Sequence, residues 1–179
     1  SHDVQTKHFL DSLTVSSALS AHVRDSGRII DVGSGGGFPG LPLKIAYPGL
    51  NLTLLESVGK KTRFLTHVVK NLGLSDVEII AGRAETLAFD PRMREGFDVV
   101  LARAVGTMCI VAELTLPFCR IGGHVVAFKK GKVEQEIEDS LFALTLLGGR
   151  LKELRSVQVP GLKDDRMLVV VEKVKPTPE

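Results

Sequence analysis

Cysteine is scarce in this chain: Cys109 and Cys119 are the two among 179 residues, and they form no C-x-x-C pair. That excludes a disulfide scaffold and suits a reducing compartment. No apolar run approaches the roughly 20 residues that a membrane span needs, and the first residues lack the apolar core of a secretory signal. A soluble cytoplasmic protein is therefore expected, without a membrane partner or a metal. An excess of one charge is missing too. Lys and Arg number 23 against 21 Asp and Glu, a formal charge of +2. Composition alone thus announces no nucleic-acid partner, and the placement of the basic residues must decide. Internal repeats, low-complexity tracts and linkers are also absent.

What is present is enough apolar material for a core: 44% of the residues are hydrophobic, sufficient for one domain of this length. We read residues 1–179 as a single domain, with an N-terminal helical segment over 1–25 and an α/β core over 26–179. The chain opens Ser1-His2 instead of Met, so that helical segment is expected to be truncated.

Helical spacing of Phe9, Leu10, Leu13, Leu19 and Val23 predicts a helix over 7–23. Short apolar runs predict strands at 28–32, 52–55, 77–81, 97–102 and 125–128. Between them, helices are expected at 41–47, around Phe64, Leu65, Val68, Val69 and Leu72, and at 107–118 with Pro117 near the end. A helix over 133–147 should turn Val133, Ile137, Leu141, Leu144 and Leu147 inward. The last strands, about 151–159 and 166–174, have no helix between them and should pair as a hairpin. Together these elements give a seven-stranded, mostly parallel sheet with a C-terminal antiparallel hairpin and helices on both faces.

The motif that carries chemistry is Asp31-Val32-Gly33-Ser34-Gly35-Gly36-Gly37-Phe38-Pro39-Gly40, at the turn from the first strand into a helix. Glycines there let the backbone bend tightly and approach a ligand. Glu56 ends the second strand, where an acid can accept hydrogen bonds from ribose hydroxyls. Two ligand classes compete. Gly35-x-Gly37-x-x-Gly40 formally matches a dinucleotide fingerprint. That frame strands Gly33-Ser34 and sets Asp31 close to a pyrophosphate, where like charges repel. The frame Asp31-x-Gly33-x-Gly35-x-Gly37 suits a ligand without phosphate. S-adenosylmethionine, with its sulfonium and ammonium, favours a carboxylate beside it. A turn that binds nothing would carry five glycines at a needless entropic cost.

The pattern Asp31-x-Gly33-x-Gly35-x-Gly37 with Glu56 resembles the class I S-adenosylmethionine-dependent methyltransferases, whose fold is Rossmann-like. A closer resemblance rests on Gly37-Phe38-Pro39-Gly40-Leu41-Pro42-Leu43, Leu55-Glu56-Ser57-x-x-Lys60-Lys61-x-x-Phe64-Leu65, Arg83-Ala84-Glu85, Arg103-Ala104-Val105 and His8-Phe9-Leu10-Asp11-Ser12-Leu13. By these motifs the chain is similar, over essentially its whole length, to the bacterial 16S ribosomal RNA guanine-N7 methyltransferases, formerly glucose-inhibited division protein B. The resemblance implies methyl transfer to N7 of a guanine in the decoding region of 16S rRNA. It implies cofactor contacts at Gly33, Phe38, Ala84, Glu85 and Arg103, with naked rRNA or the small ribosomal subunit as substrate; apart from the resemblance, a monomer is expected.

Each candidate residue also has a structural reading. Asp31 either organises the cofactor's ammonium or caps the nearby helix. Glu56 takes the ribose or is a strand-end charge, and Glu85 sits by the adenine or at an exposed first helical turn. Phe38 packs on the ligand or in the core. Arg103 positions cofactor or guanine, or forms a salt bridge. Basic residues gather at the expected ligand edge: Lys60, Lys61, Arg63, Lys129, Lys130, Lys132 and Arg166, suited to phosphate contacts. His8 and Asp11 share a helix face and can brace the glycine loop. Guanine N7 presents an in-plane lone pair, so no general base is required and catalysis can rest on alignment. Consistently, Arg103-Ala104-Val105-Gly106 stands where an exocyclic-amine methyltransferase would carry an Asn-Pro-Pro-Tyr-like motif, and the cysteines read as small hydrophobes. The alternatives are a nicotinamide-dependent oxidoreductase, for which the chain offers no evident substrate domain, and a non-catalytic cofactor- or RNA-binding module.

Overall fold

The computed structural model describes residues 5–162 and 165–178, with side chains from His8 onward. Seven strands form one sheet: β1 (Arg28–Val32), β2 (Asn51–Glu56), β3 (Val77–Ala81), β4 (Phe97–Arg103), β5 (Cys119–Lys130), β6 (Gly149–Val157) and β7 (Arg166–Lys173). Their order is β3-β2-β1-β4-β5-β7-β6. All neighbours run parallel except β7, which is antiparallel to both β5 and β6. The hairpin thus folds its second strand inward, and β6 becomes the edge.

Adjacent residues of β1 serve opposite faces, as the period of two in a strand demands. Ile30 and Val32 join one core layer with Met108, Val111, Ile137 and Leu144. Ile29 joins the other with Val15, Leu41, Leu43 and Leu65. Strand β1, central and covered on both faces, is buried from Ile29 to Val32, whereas β3, at the sheet edge, is only half-buried; both stand where the sequence puts them.

The expected helix over 7–23 is instead a series of short turns. A π-helical turn (Gln5–Leu10) leads into α1 (Asp11–Leu13), a 3-10 turn (Thr14–Ala18) and, after an extended Leu19, α2 (Ala21–Ser26). The cause is a hydroxyl cluster. Ser12, Thr14, Ser16 and Ser17 donate to the carbonyls of His8, Asp11, Leu13 and Thr14, competing with the regular backbone ladder.

The remaining helices are α3 (Gly40–Ala46), α4 (Gly59–Asn71), α5 (Ala84–Leu87), α6 (Met108–Thr115) and α7 (Glu134–Leu146), with Pro117 in the 3-10 turn that follows α6. Two helical faces are narrower than expected. In α4 Leu65 is buried, but Phe64 is 53% exposed, as is Leu72 beyond its end. In α7 Leu141 is 46% exposed while Ile137 and Leu144 are buried. Strand β5 is longer than expected because Gly122-Gly123 bends it without ending it. A Cβ on Gly123 would lie 2.7 Å from the Asp98 carbonyl oxygen, and the register with β4 shifts between Phe97 and Val99. Among the described residues no helix is long and apolar enough to cross a membrane.

Candidate active site

Strand β1 lies between β2 and β4, so the connections leaving their carboxyl ends diverge there and open a crevice, the place where doubly wound sheets take ligands. A cavity of about 540 Å³ fills it, walled by Gly33 to Gly36, Phe38, Arg103 to Gly106, Lys129 and Arg166 among others. A smaller depression of about 160 Å³ adjoins it, sharing Gly33 and Val105 and reaching Ala84 and Glu85. The glycine loop thus separates two compartments, and most residues singled out in the sequence line one or the other.

Asp31 lies beneath this loop, fully buried. Its Oδ2 accepts the Gly40 N–H at 2.9 Å, capping the first turn of α3. Its Oδ1 is buried with no hydrogen-bond partner. Burial pushes the carboxyl up to about 7, against the lowering effects of the Gly40 N–H and the Arg103 charge. The helix-cap reading therefore holds for one oxygen, and the other has no partner among the described residues.

Glu56, also buried, braces the loop. Its Oε2 accepts the Gly35 N–H and its Oε1 the Val58 N–H, both at 2.9 Å, so one side chain ties the glycine turn to the start of α4. Lys61 stands 3.6 Å from the same Oε2. Gly35, at φ +57°, turns its N–H toward that carboxylate. Gly37 departs from expectation. It is buried away from the cavity, and a Cβ there would sit 2.4 Å from Leu41 Cδ1, so it serves the close approach of α3; Gly36 takes its place on the wall. Phe38 is half-buried and contacts ligand space and N-terminal segment together, with ring centroids 5.3 Å from His8 and 5.0 Å from Phe9. Ala84 is buried at the start of α5; Glu85 is exposed and lies 3.7 Å from Arg83.

Arg103 is the salt-bridged residue the structural reading describes, and it also lines the cavity. Its Nη2 is 3.0 Å from Asp11 Oδ2, and its Nη1 donates to Ser12 Oγ at 3.2 Å. Arg166, 6% exposed, reaches the same Asp11 oxygen at 3.4 Å. One buried carboxylate therefore gathers two guanidinium groups from β4 and β7. Of the other basic residues, Lys60, Lys61, Arg63, Lys130 and Lys132 are exposed, and Lys61 and Lys130 line the cavity. Lys129 is drawn inward: its Nζ donates to the Gly106 carbonyl at 2.6 Å and to Glu136 Oε1 at 2.5 Å. The role of Glu136 escaped the sequence reading, since a helix-surface acid in α7 carries no sign of its partner. So did Ala104, held at φ +57° in the loop after β4. Cys119 is buried, with its thiol pushed up to about 12 by desolvation, and Cys109 is half-buried.

A family model described as rRNA small subunit methyltransferase G matches residues 1–168. A relative of that name from Dehalococcoides mccartyi is 50% identical over 98% of this chain and 74% of its own length. Another, from Roseiflexus castenholzii, is 48% identical over the same shares. The fold is also that of a SAM-dependent O-methyltransferase from Thermotoga maritima, with a TM-score of 0.67 at 17% identity, covering 94% of this chain and 66% of that one.

Proposed function

The chain belongs to the rRNA small subunit methyltransferase G family, and we propose that it carries the methyl group of S-adenosylmethionine to N7 of a guanine in the decoding region of 16S ribosomal RNA. It does so in the cytoplasm, as a monomer acting on the rRNA or the small subunit. The observation that carries this reading is the unpartnered Oδ1 of Asp31 under the glycine loop. A buried carboxylate oxygen without a donor is costly unless a donor arrives with a ligand, and a charged ammonium is the donor that best offsets the burial.

The residues fit this cofactor better than a dinucleotide. A pyrophosphate would need the N–H groups at the start of α3, yet Asp31 Oδ2 already holds the Gly40 N–H there. Asp31, Gly33 and Gly35 would hold the amino-acid end in the larger cavity, with Phe38 against it. Glu56, bonded to Gly35 under the loop, would hold the ribose, and Ala84 with Glu85, which line the smaller depression, the adenine. When bound, the cofactor supplies an electrophilic methyl group on a positively charged sulfur. The protein's part is alignment, because guanine N7 needs no deprotonation. Arg103 orients the acceptor from the cavity wall. Lys60, Lys61, Arg63 and Lys130, all exposed, would meet the RNA backbone, with Arg166 held on Asp11 in the cavity wall behind them.

The test is transfer of labelled methyl from S-adenosylmethionine to small subunits and free 16S rRNA lacking the modification, mapped by reductive strand cleavage at 7-methylguanine. Label at one guanine of the decoding region is the expected result. Cofactor binding without transfer to either substrate would overturn the reading in favour of a binding module.

A further inference from the structure

We propose that Lys129 reads O6 of the acceptor guanine, and so selects guanine over adenine on the edge that is methylated. The inference rests on the function proposed above and adds a specificity-determining residue to it.

The placement comes from the sheet. Phe128 pairs in register with Arg103, so Lys129 is the first residue of β5 beyond that pair, at the carboxyl edge. It lines the same cavity as Gly33, Gly35, Gly36 and Arg103, and its side chain is 12% exposed. Two partners fix its ammonium: the Gly106 carbonyl and Glu136 Oε1. Glu136 Oε1 in turn accepts the Met108 N–H at 2.7 Å, at the start of α6. Lys129 is therefore immobilised against the loop after β4, where Ala104 and Gly106 hold φ values of +57° and +151°. An ammonium has three N–H donors, and the contacts with Gly106 and Glu136 use two of them. A third donor is left for the cavity.

The chemistry of the acceptor edge selects this kind of donor. Guanine shows two acceptors there, N7 and O6, whereas adenine shows N7 beside an amino group. The N7 lone pair must stay free to take the methyl. An arginine fork laid on this edge would bond N7 together with O6, whereas a lysine is a point donor and can hold O6 alone. Arg103 and Arg166 are meanwhile gathered on Asp11. A donor fixed on O6 meets adenine's amino group as donor against donor, so the wrong base is rejected where the methyl would go. A phosphate contact by Lys129 would be blind to the base.

The experiment uses small subunits reconstituted with 16S rRNA carrying guanine, inosine or 2,6-diaminopurine at the acceptor position. Inosine keeps N7 and O6, and diaminopurine keeps N7 but replaces O6 with an amino group. The wild-type protein is expected to methylate guanine and inosine alike and diaminopurine poorly. Lys129→Met is expected to lose about tenfold or more in kcat/KM on guanine and inosine. Its loss on diaminopurine is expected to be smaller by about that factor, so the preference for guanine over diaminopurine collapses. Lys129→Arg, which keeps the charge but brings the fork, is expected to stay well below wild type on guanine. A Lys129→Met variant that slows all three bases by one factor, or none, overturns the proposal, as does a Lys129→Arg variant with full activity on guanine. Failure of the wild type to methylate guanine would instead overturn the parent reading.

Discussion

Asp31 and Gly40 close the glycine loop upon itself: the carboxylate at the tip of β1 accepts the amide at the start of α3 at 2.9 Å, nine residues on. This bond fixes the carboxylate in a fully buried place with its second oxygen unpartnered. The unpartnered oxygen is thereby a local cost to the ligand-free fold, and the one the proposed cofactor contact would offset.

That cost has a pH signature. The folded-state pKa of Asp31 is about 7, above the ordinary 3.8, with desolvation the largest cause. Between those values the folded protein binds more protons than the unfolded chain, so this group's contribution to stability falls as pH rises. Asp31→Asn removes the titration. The ligand-free variant is expected to gain stability relative to wild type from pH 4 to 8, by at most about 4 kcal/mol. Melts of both proteins across that range check it. A cationic ammonium beside Oδ1 favours the ionised form, so cofactor binding at pH 6 is expected to release about one proton. Titration calorimetry in buffers of different ionisation heat measures it; heats independent of the buffer would reject the contact. Asp31→Ala is expected to weaken cofactor binding by about 1.5–3 kcal/mol.

Glu56 makes a separate prediction. Both its oxygens accept backbone N–H groups, from Gly35 and Val58. Glu56→Gln must point an amide NH₂ at one of them, so it cannot replace both bonds. The variant is expected to fold, with cofactor affinity lowered about tenfold as the loop loosens. Equal affinity in calorimetry would leave Glu56 a brace of the loop with no part in cofactor binding.

Much of this site was legible in the sequence, and the unread part has a common physical form. Strand β1 was readable because a buried parallel strand is a short apolar run closed by a glycine break, and the half-buried edge strand β3 because its Val-x-Ile-Ile run is closed the same way. Asp31, Gly33 and Glu56 were readable because strand tips and turns impose their own residue types. What escaped depends on partners supplied by topology. Asp11 and Arg166 meet although 155 positions apart. Lys44 in α3 is buried with its Nζ on the carbonyls of Pro48 and Leu50, and backbone acceptors leave no trace in a pattern of side chains. Lys173 is likewise buried, at 3.1 Å from Glu95 and bonded to Leu116 and Thr177. The broken N-terminal helix belongs to the same class, since hydroxyls competing for the backbone leave apolar spacing untouched.

Asp11 is expected to behave as a keystone of the fold. Asp11→Ala leaves the Arg103 and Arg166 guanidinium groups facing each other without the carboxylate between them. The expected loss is about 3 kcal/mol or more in urea unfolding, the usual cost of breaking a buried ion pair from one side. Arg103→Ala removes a charge from the cavity wall and lets Asp11 keep Arg166. Its turnover is expected to fall further than its stability, and equal losses in methyl transfer and in unfolding free energy would make its role structural.

The rim cations are separable from this interior network by their response to salt. Lys60 and Arg63 are exposed on the first turn and a half of α4, whereas Lys129 is paired with Glu136 and Arg166 with the buried Asp11. An exposed cation on a phosphate acts by releasing counterions, so its removal weakens binding to every RNA sequence and flattens the salt dependence. For the double variant Lys60→Gln and Arg63→Gln, the slope of log affinity against log salt is expected to fall by up to about two. Cofactor affinity should hold, because neither side chain reaches the glycine loop or Glu56. Filter binding of small subunits across a salt series measures the slope. An unchanged slope would place the RNA on another edge of the sheet, and would leave Lys60 and Arg63 as the ordinary solvated face of α4.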